Sequence, residues 1–489
     1  MDRHAQHPQR GGGLRRATQE ALRRGGADAA RAGDRRWLGG KCGRPRTLGR
    51  GRARPAASVR PRLHLGGALH PERAGRAARR GARVRAWPAA FAPLRGVRVI
   101  EVALLAPDAL AMHLADLGAE VVKVEEPGTG DYVREVGAVK VDGVSALHRR
   151  WNRGKRSIAL DLRTERGTEV FEDLVRASDA VVEGLRPGAL ARRGLGFARL
   201  QTVNAAIVVT SLSGYGQDGP YRELASHGVA YDAYAGFAPP TPGPRDWPTV
   251  PPHTDVGIHA AALFGALATV SAVLSARQSG TGAHLDISQA DVAAWWNGPL
   301  LELDELRSRR PGQAEGVGPD LWRSVRYQYY GCSDGAFVLL MATEDKFWRR
   351  LCEGAGRRDL YERFPSRGAS DHDTGNEELR AELVSLFSTR SQREWVEFFL
   401  THDIPGAPVH VAGGVRSDPH FRSRAHWLDA DAHGMAILGT PIRSAGGGPV
   451  DPAPAPRVGE HTRQILEDVL GYGPELCDRL FAEGVVAGS

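Results

Sequence analysis

Cysteine is scarce: the 489 residues hold four, Cys42, Cys332, Cys352 and Cys477, far apart and never as a CxxC pair. That excludes a disulfide scaffold and a cysteine-built zinc site, and it points to a reducing compartment, so a cytoplasmic protein is expected. No continuous apolar stretch of the secretory kind opens the chain. No GxSxG elbow marks a serine hydrolase. What is present, 42% hydrophobic and 25% charged residues, suffices for two or three cored domains.

The formal charge of +8 is unevenly placed. Residues 1–90 carry 22 Arg and one Lys against five acids, a local +18 that leaves −10 for residues 91–489. This first segment is Arg, Ala and Gly without a periodic apolar face, so it is expected to be a disordered arm. It offers just two aromatic residues, Trp37 and Trp87, and no groove-reading motif, so no nucleic-acid partner is expected.

From Leu94 the pattern changes. Val97–Val102 is a short β-branched run. A helix beginning at Pro107 or Asp108 places Leu110, Leu114 and Leu117 on one face, Gly118 closes it, and Glu120–Val124 reads as a second strand. A helical crossover between such strands implies a parallel sheet and an α/β domain. Glu125 stands where a dinucleotide-binding fold carries its ribose acid, but Ala103-Leu104-Leu105-Ala106-Pro107-Asp108 has no glycine to admit a pyrophosphate. A literal GxGxxG does occur, at Gly214–Gly219, but it runs into Pro220 instead of a helix. Two basic loops follow, Asn152–Arg156 and Arg186–Arg193; they are solvated charges or, at the carboxyl end of a sheet, an anion cradle. Pro239–Pro252 and Arg307–Gly318 read as surface loops, and residues 325–410 as a smaller α+β domain.

Val256–Ala276 contains no Asp, Glu, Lys or Arg and has the length of a membrane span. Its Ala, Gly, Ser and Thr content suits instead a helix buried among other helices, so no membrane partner is expected. Asp255 stands at its start. The ordinary role of an acid there is an N-cap worth about 1 kcal/mol. The chemical alternative is a nucleophile toward an activated acyl group. His253, Asp255 and His259 cluster in sequence, but only Asp255 and His259 have helical ligand spacing, and two ligands do not complete a site; no metal is expected. His227, in Ser226-His227-Gly228, is structural or an acid/base group.

Taken together, several segments resemble the family III CoA transferases, the group that includes formyl-CoA transferase, carnitine CoA-transferase and α-methylacyl-CoA racemase. They are Leu94–Val99, Leu114–Glu125, Asn152–Ser157, Arg186-Pro187-Gly188, Ser213–Gly216, Gly219-Pro220-Tyr221, Gly280-Thr281-Gly282, Asp403–Val409, Asp418–Phe421 and Gly459–Thr462. The resemblance implies a Rossmann-like large domain built from residues 91–305 and a returning segment, 411–489, with the small domain at 325–410. It also implies an interlocked homodimer. It makes Asp255 the nucleophile that attacks a thioester to form an aspartyl-acyl anhydride, with CoA passing to a free carboxylic acid; backbone N–H groups at the helix start would hold the oxyanion. CoA is then a substrate, not a tightly bound cofactor. The basic loops map onto Lys155, Arg156 and Arg192 for its phosphates, with Asn152 and Arg186 beside them.

The racemase branch of the family pairs the same aspartate with a histidine, matched by His227, and a supporting glutamate, matched by Glu344. That gives a second reading, racemisation or epimerisation of a 2-substituted acyl-CoA, and a non-catalytic acyl-CoA binder is a third. The chain departs from the family pattern at Gly228, where many relatives have an acid, and at Ala106-Pro107-Asp108. No glycine-rich flap of the formyl-CoA transferase kind is found, which argues against oxalate and formate.

Overall fold

The computed structural model describes residues 91–488, apart from 253–254, 311–322, 412 and 446. The arm at 1–90, His253 and most of the loop expected at Arg307–Gly318 lie outside these residues.

The chain alternates strand and helix: β1 (Arg98–Val102), α1 (Asp108–Asp116), β2 (Glu120–Glu125), α2 (Ala146–Trp151), β3 (Lys155–Leu160), α3 (Glu165–Arg176), β4 (Ala180–Glu183), α4 (Ala189–Arg192), α5 (Phe197–Val203) and β5 (Val208–Ser213). Then come α6 (Ala230–Tyr234), α7 (Val256–Ser279), β6 (His284–Ser288), α8 (Gln289–Trp296) and α9 (Gly298–Arg309). Arg307–Arg309 are thus the last turn of a helix rather than the start of a loop. The six strands pair in parallel in the order β6-β5-β4-β1-β2-β3. This is a doubly wound α/β sheet, as short β-branched strands joined by amphipathic helices dictate.

Successive residues of each strand point to opposite faces. Val99, Val121 and Val182 pack with α1, α7 and α8 on one side; Ile100, Val122 and Val181 pack with Phe171 and Leu174 of α3 on the other. The small residues of α7 serve close approach: a Cβ on Gly265 would stand 2.3 Å from the Leu110 side chain of α1. The helix is not wrapped by its own chain, however. Leu263, Leu267 and Leu274 are half or more exposed, which corrects the expectation of a helix buried among others.

A separate apolar core lies under the antiparallel sheet of β7 (Tyr327–Gly331), β8 (Phe337–Met341) and β9 (Gly406–Val409). It is built with α10 (Asp345–Gly354), α11 (Arg358–Arg363), α12 (Glu377–Phe387) and α13 (Gln392–His402) around Trp348, Phe387 and Trp395. The chain then returns to the first sheet. Ile465, Leu466 and, from α14 (Pro474–Ala482), Leu480 fill the α3 side, and β10 (Val486–Ala487) adds antiparallel to the outer edge of β3.

Candidate active site

Strand order reverses between β1 and β4, and the loops leaving their carboxyl ends face each other there. They touch: a Cβ on Gly184 would lie 2.4 Å from Pro107 Cβ, so only glycine fits. Beside them opens a cleft of 980 Å³ whose wall includes Leu105, Pro107, Arg186, Arg192, His227 and Ile258. A second cavity of 480 Å³ shares Leu104, Tyr132, Leu185 and Arg193 with it, and a third shares Arg163 and Arg193 with the second. The three form one groove across the carboxyl ends of β4, β1, β2 and β3.

At the mouth of α7 two carboxylates divide their work. Asp255 occupies the N-cap position, but its side chain makes no capping bond. The cap comes from Asp232 on α6, buried, whose two oxygens accept the N–H groups of Val256 (3.0 Å) and Gly257 (2.7 Å). Those donors are consequently not available to an oxyanion, which corrects the expectation for the start of the helix. Asp255 itself does not line the cleft; Ile258, one turn into the same helix, does.

His227 stands exposed in the cleft wall, beside Gly228 at φ +60°. Glu344 is not brought to it. It opens α10 beside the small sheet, accepts the Thr343 hydroxyl at 3.0 Å and lines none of the three cavities.

The basic residues separate into two groups. Arg186 and Arg192 line the cleft, and an Arg192 Nη1 donates to the Pro187 carbonyl at 3.1 Å. Asn152, Lys155 and Arg156 do not line the groove, which corrects the expectation of a shared cradle: Lys155 begins β3, about 16 Å from its carboxyl end, with Asn152 just before it and Arg156 just after. Lys155 is sealed in the interior. Its ammonium donates to both Glu101 oxygens (2.8 and 2.7 Å), the Asp108 carbonyl (2.9 Å) and Asn152 Oδ1 (2.9 Å), leaving no proton for a phosphate. Asn152 also donates to Asp108 Oδ2 at 2.9 Å, and Arg156, partly exposed, pairs with Glu120.

These contacts belong to a buried ionic cluster beneath the β1–α1 turn. Lys123 Nζ meets Asp108 (2.8 Å), Asp131 (2.9 Å) and the Ala103 carbonyl (3.1 Å). Three carboxylates, Glu101, Asp108 and Asp131, thereby share two ammonium groups. Burial pushes Asp108 well above the usual carboxylate range despite Lys123. For Asp131 burial is outweighed by Lys123 and hydrogen bonds, which hold it at about 2. Burial also lowers Lys155, against the pull of Glu101. The cluster fixes the turn from below, where Leu105 takes φ 65° and its N–H donates to Asp131 at 3.3 Å. Glu125, the apparent ribose acid, is spent on Arg134, the Ser157 hydroxyl and the Asp131 N–H.

Two further cations line the groove, Arg163, which no motif marked, and Arg193, which the basic loop Arg186–Arg193 contained but the family resemblance did not single out. Arg163 follows β3 and is held by Asp161 (2.8 Å) and Glu126 (2.9 Å); Arg193 lines all three cavities. The usable signal for Arg163 was position: it follows the carboxyl end of β3, whereas Lys155 and Arg156 begin that strand.

The profile of CoA-transferase family III matches residues 94–462. The chain is 31% identical to the succinyl-CoA–D-citramalate CoA-transferase of Chloroflexus aurantiacus, over 81% of this chain and 98% of that protein. It is 27% identical to the human α-methylacyl-CoA racemase, over 80% and 97%. A crystal structure of a CAIB/BAIF family protein from Brucella suis superposes with a TM-score of 0.61 at 28% identity, covering 78% of this chain and all of that one.

Proposed function

The chain belongs to CoA-transferase family III, and from that premise we propose that it moves coenzyme A from an acyl-CoA to a free carboxylic acid, with Asp255 as the acyl carrier. The observation that carries this reading is the division of labour at α7: Asp232 does the capping, so the Asp255 carboxylate is not consumed by its helix. It stands one turn from Ile258 in the cleft wall.

In the proposed sequence an Asp255 oxygen attacks the thioester carbonyl carbon, the C–S bond breaks, and CoA thiolate leaves an aspartyl-acyl anhydride. The thiolate attacks the aspartyl carbonyl, releasing the first acid and leaving CoA as a thioester on Asp255. The acceptor carboxylate attacks that thioester, and the returning thiolate takes the new acyl group, restoring Asp255. No proton needs to be gained or lost overall. The groove supports a long substrate, with Arg186 and Arg192 beside the cleft and Arg163 and Arg193 toward the phosphates. The citramalate-transferring relative suggests dicarboxylic acids as donor and acceptor.

A second copy, interlocked with the first, would cover Leu263, Leu267 and Leu274 of α7 together with exposed Trp295 and Trp296 of α8, and would carry Glu344 toward a cleft its own chain does not reach. Buried, unpaired Cys332, Cys352 and Cys477 support a cytoplasmic setting.

Transfer of labelled CoA from succinyl-CoA to a panel of free acids tests the reading; activity surviving in Asp255→Ala refutes it. Racemisation stays as a second reading because His227 lines the cleft. Exchange of the α-proton of an acyl-CoA in heavy water, without an acceptor acid, would favour it.

A further inference from the structure

The first two cavities join at Leu104, Tyr132, Leu185 and Arg193, which line both. A ligand occupying both cavities therefore runs past the exposed side chains of Leu104 and Tyr132. These two come from separate segments, the β1–α1 turn and a one-turn 3₁₀ helix, Tyr132–Arg134.

Asp131 ties the two segments together from beneath. It is fully buried, and its Oδ1 accepts the N–H of Leu105 at 3.3 Å and the N–H of Val133 at 2.8 Å, one from each segment. The Tyr132 segment is anchored from behind: the Asp131 N–H donates to Glu125 at 3.0 Å, and Arg134 donates to the same carboxylate and to the Pro456 carbonyl. The turn, in contrast, is strained. Leu105 has φ 65°, a left-handed conformation that an L side chain adopts at a cost and keeps only where its surroundings hold it. A hydrogen bond to a buried carboxylate is such a hold.

Charge balance does not depend on this residue. Lys123 also meets Asp108 at 2.8 Å, and burial suppresses the ionisation of Asp108, which is thus in reserve to pair with Lys123 when Asp131 is replaced. What Asp131 adds is one oxygen shared by two backbone donors that belong to opposite segments.

Resting on the reading of the groove as an acyl-CoA site, we infer that Asp131 is a positioning residue for CoA, holding the Leu104–Leu105 turn and the Tyr132 segment at the spacing the pantetheine arm needs between the cleft and the second cavity. It lines none of the three cavities, so it acts through the backbone of Leu105 and Val133 and not by touching the ligand.

Isothermal titration of free CoA into the full chain tests this. Asp131→Ala removes the shared acceptor and should weaken CoA binding about tenfold or more. Asp131→Asn discards the charge but keeps a carbonyl oxygen for both N–H groups, and should bind within about threefold of wild type. In a Leu105→Gly background, where glycine takes a positive φ without support, Asp131→Ala should cost about threefold or less. Melting curves identify a variant that does not fold; should Asp131→Ala be one, Asp131→Ser, which still caps Val133 but falls short of Leu105, replaces it with the same loss expected. An Asn variant as weak as the Ala or Ser variant, an Ala or Ser variant that binds like wild type, or an equal loss in both backgrounds overturns the inference. A wild-type chain that does not bind CoA removes instead the groove assignment on which it rests.

Discussion

Replacing the two acids at the mouth of α7 one at a time should separate stability from chemistry. Asp232→Ala removes two charge-assisted bonds to backbone N–H groups, each worth about 1.5–3 kcal/mol, part of which returns when water reaches the vacated donors. A net loss of about 2–4 kcal/mol is expected, a fall in melting temperature on the order of 2–5 °C for a chain of this size. Asp255→Ala removes no capping bond and should cost about 1 kcal/mol or less while abolishing transfer. Differential scanning fluorimetry and the labelled-CoA assay on both variants give the two axes. If Asp255→Ala melts as early as Asp232→Ala, Asp255 is the structural cap and the division of labour described above is wrong. If Asp255→Ala is stable and active, the acyl-carrier proposal fails while the capping argument stands.

Other outcomes follow from the same contacts. Arg163→Ala and Arg193→Ala should each raise KM for acyl-CoA roughly tenfold, whereas Arg156→Ala, at the far end of β3, should leave it nearly unchanged; steady-state kinetics at fixed ionic strength decides. Lys155→Met strips Glu101 of its closest ammonium and should cost about 3–5 kcal/mol in urea unfolding, a loss that a mere phosphate ligand would not show. His148 is buried and held at about 3, chiefly by burial and then by Arg134, against an ordinary 6.5. Below pH 6.5 the unfolded chain binds a proton that the folded chain refuses, so stability falls as pH drops toward 3. The expected loss is about 2 kcal/mol between pH 7.5 and pH 5, and His148→Gln should flatten that slope.

Much of the sheet was legible because its signals are local. β1 and β2 fall on the β-branched run Val97–Val102 and on Glu120–Val124, and α1 ends at Asp116, with Leu117 as its C-cap before Gly118. The site was legible in type but not in address. A Lys-Arg pair looks the same in sequence whether it begins a strand or follows one, and only the folded sheet reveals that Lys155 reaches diagonally past β2 to Glu101 instead of to a ligand. The segments that carry the family resemblance are in good part structural. Arg153 clamps Asp116 at 2.9 Å, and Gly459, His461 and Thr462 are knitted to β3 through Ser157 and Ala159. The cap on α7 was illegible for another reason: Asp232 lies 24 residues before Val256, and no local pattern announces a cap supplied from another element.

The last strand closes the first sheet, and that has a consequence for biosynthesis. Because β10 pairs with β3 some 325 residues upstream and Ile465, Leu466 and Leu480 complete the hydrophobic layer over β4 and β2, the nascent amino-terminal half leaves the ribosome with an unprotected edge and a bare apolar face. The module around Trp395 draws its apolar core from residues 325–404 and can fold while translation continues. Vectorial synthesis therefore delivers a finished insert before its host, and emergence of β10, not of the groove residues, is the event that lets the first sheet set.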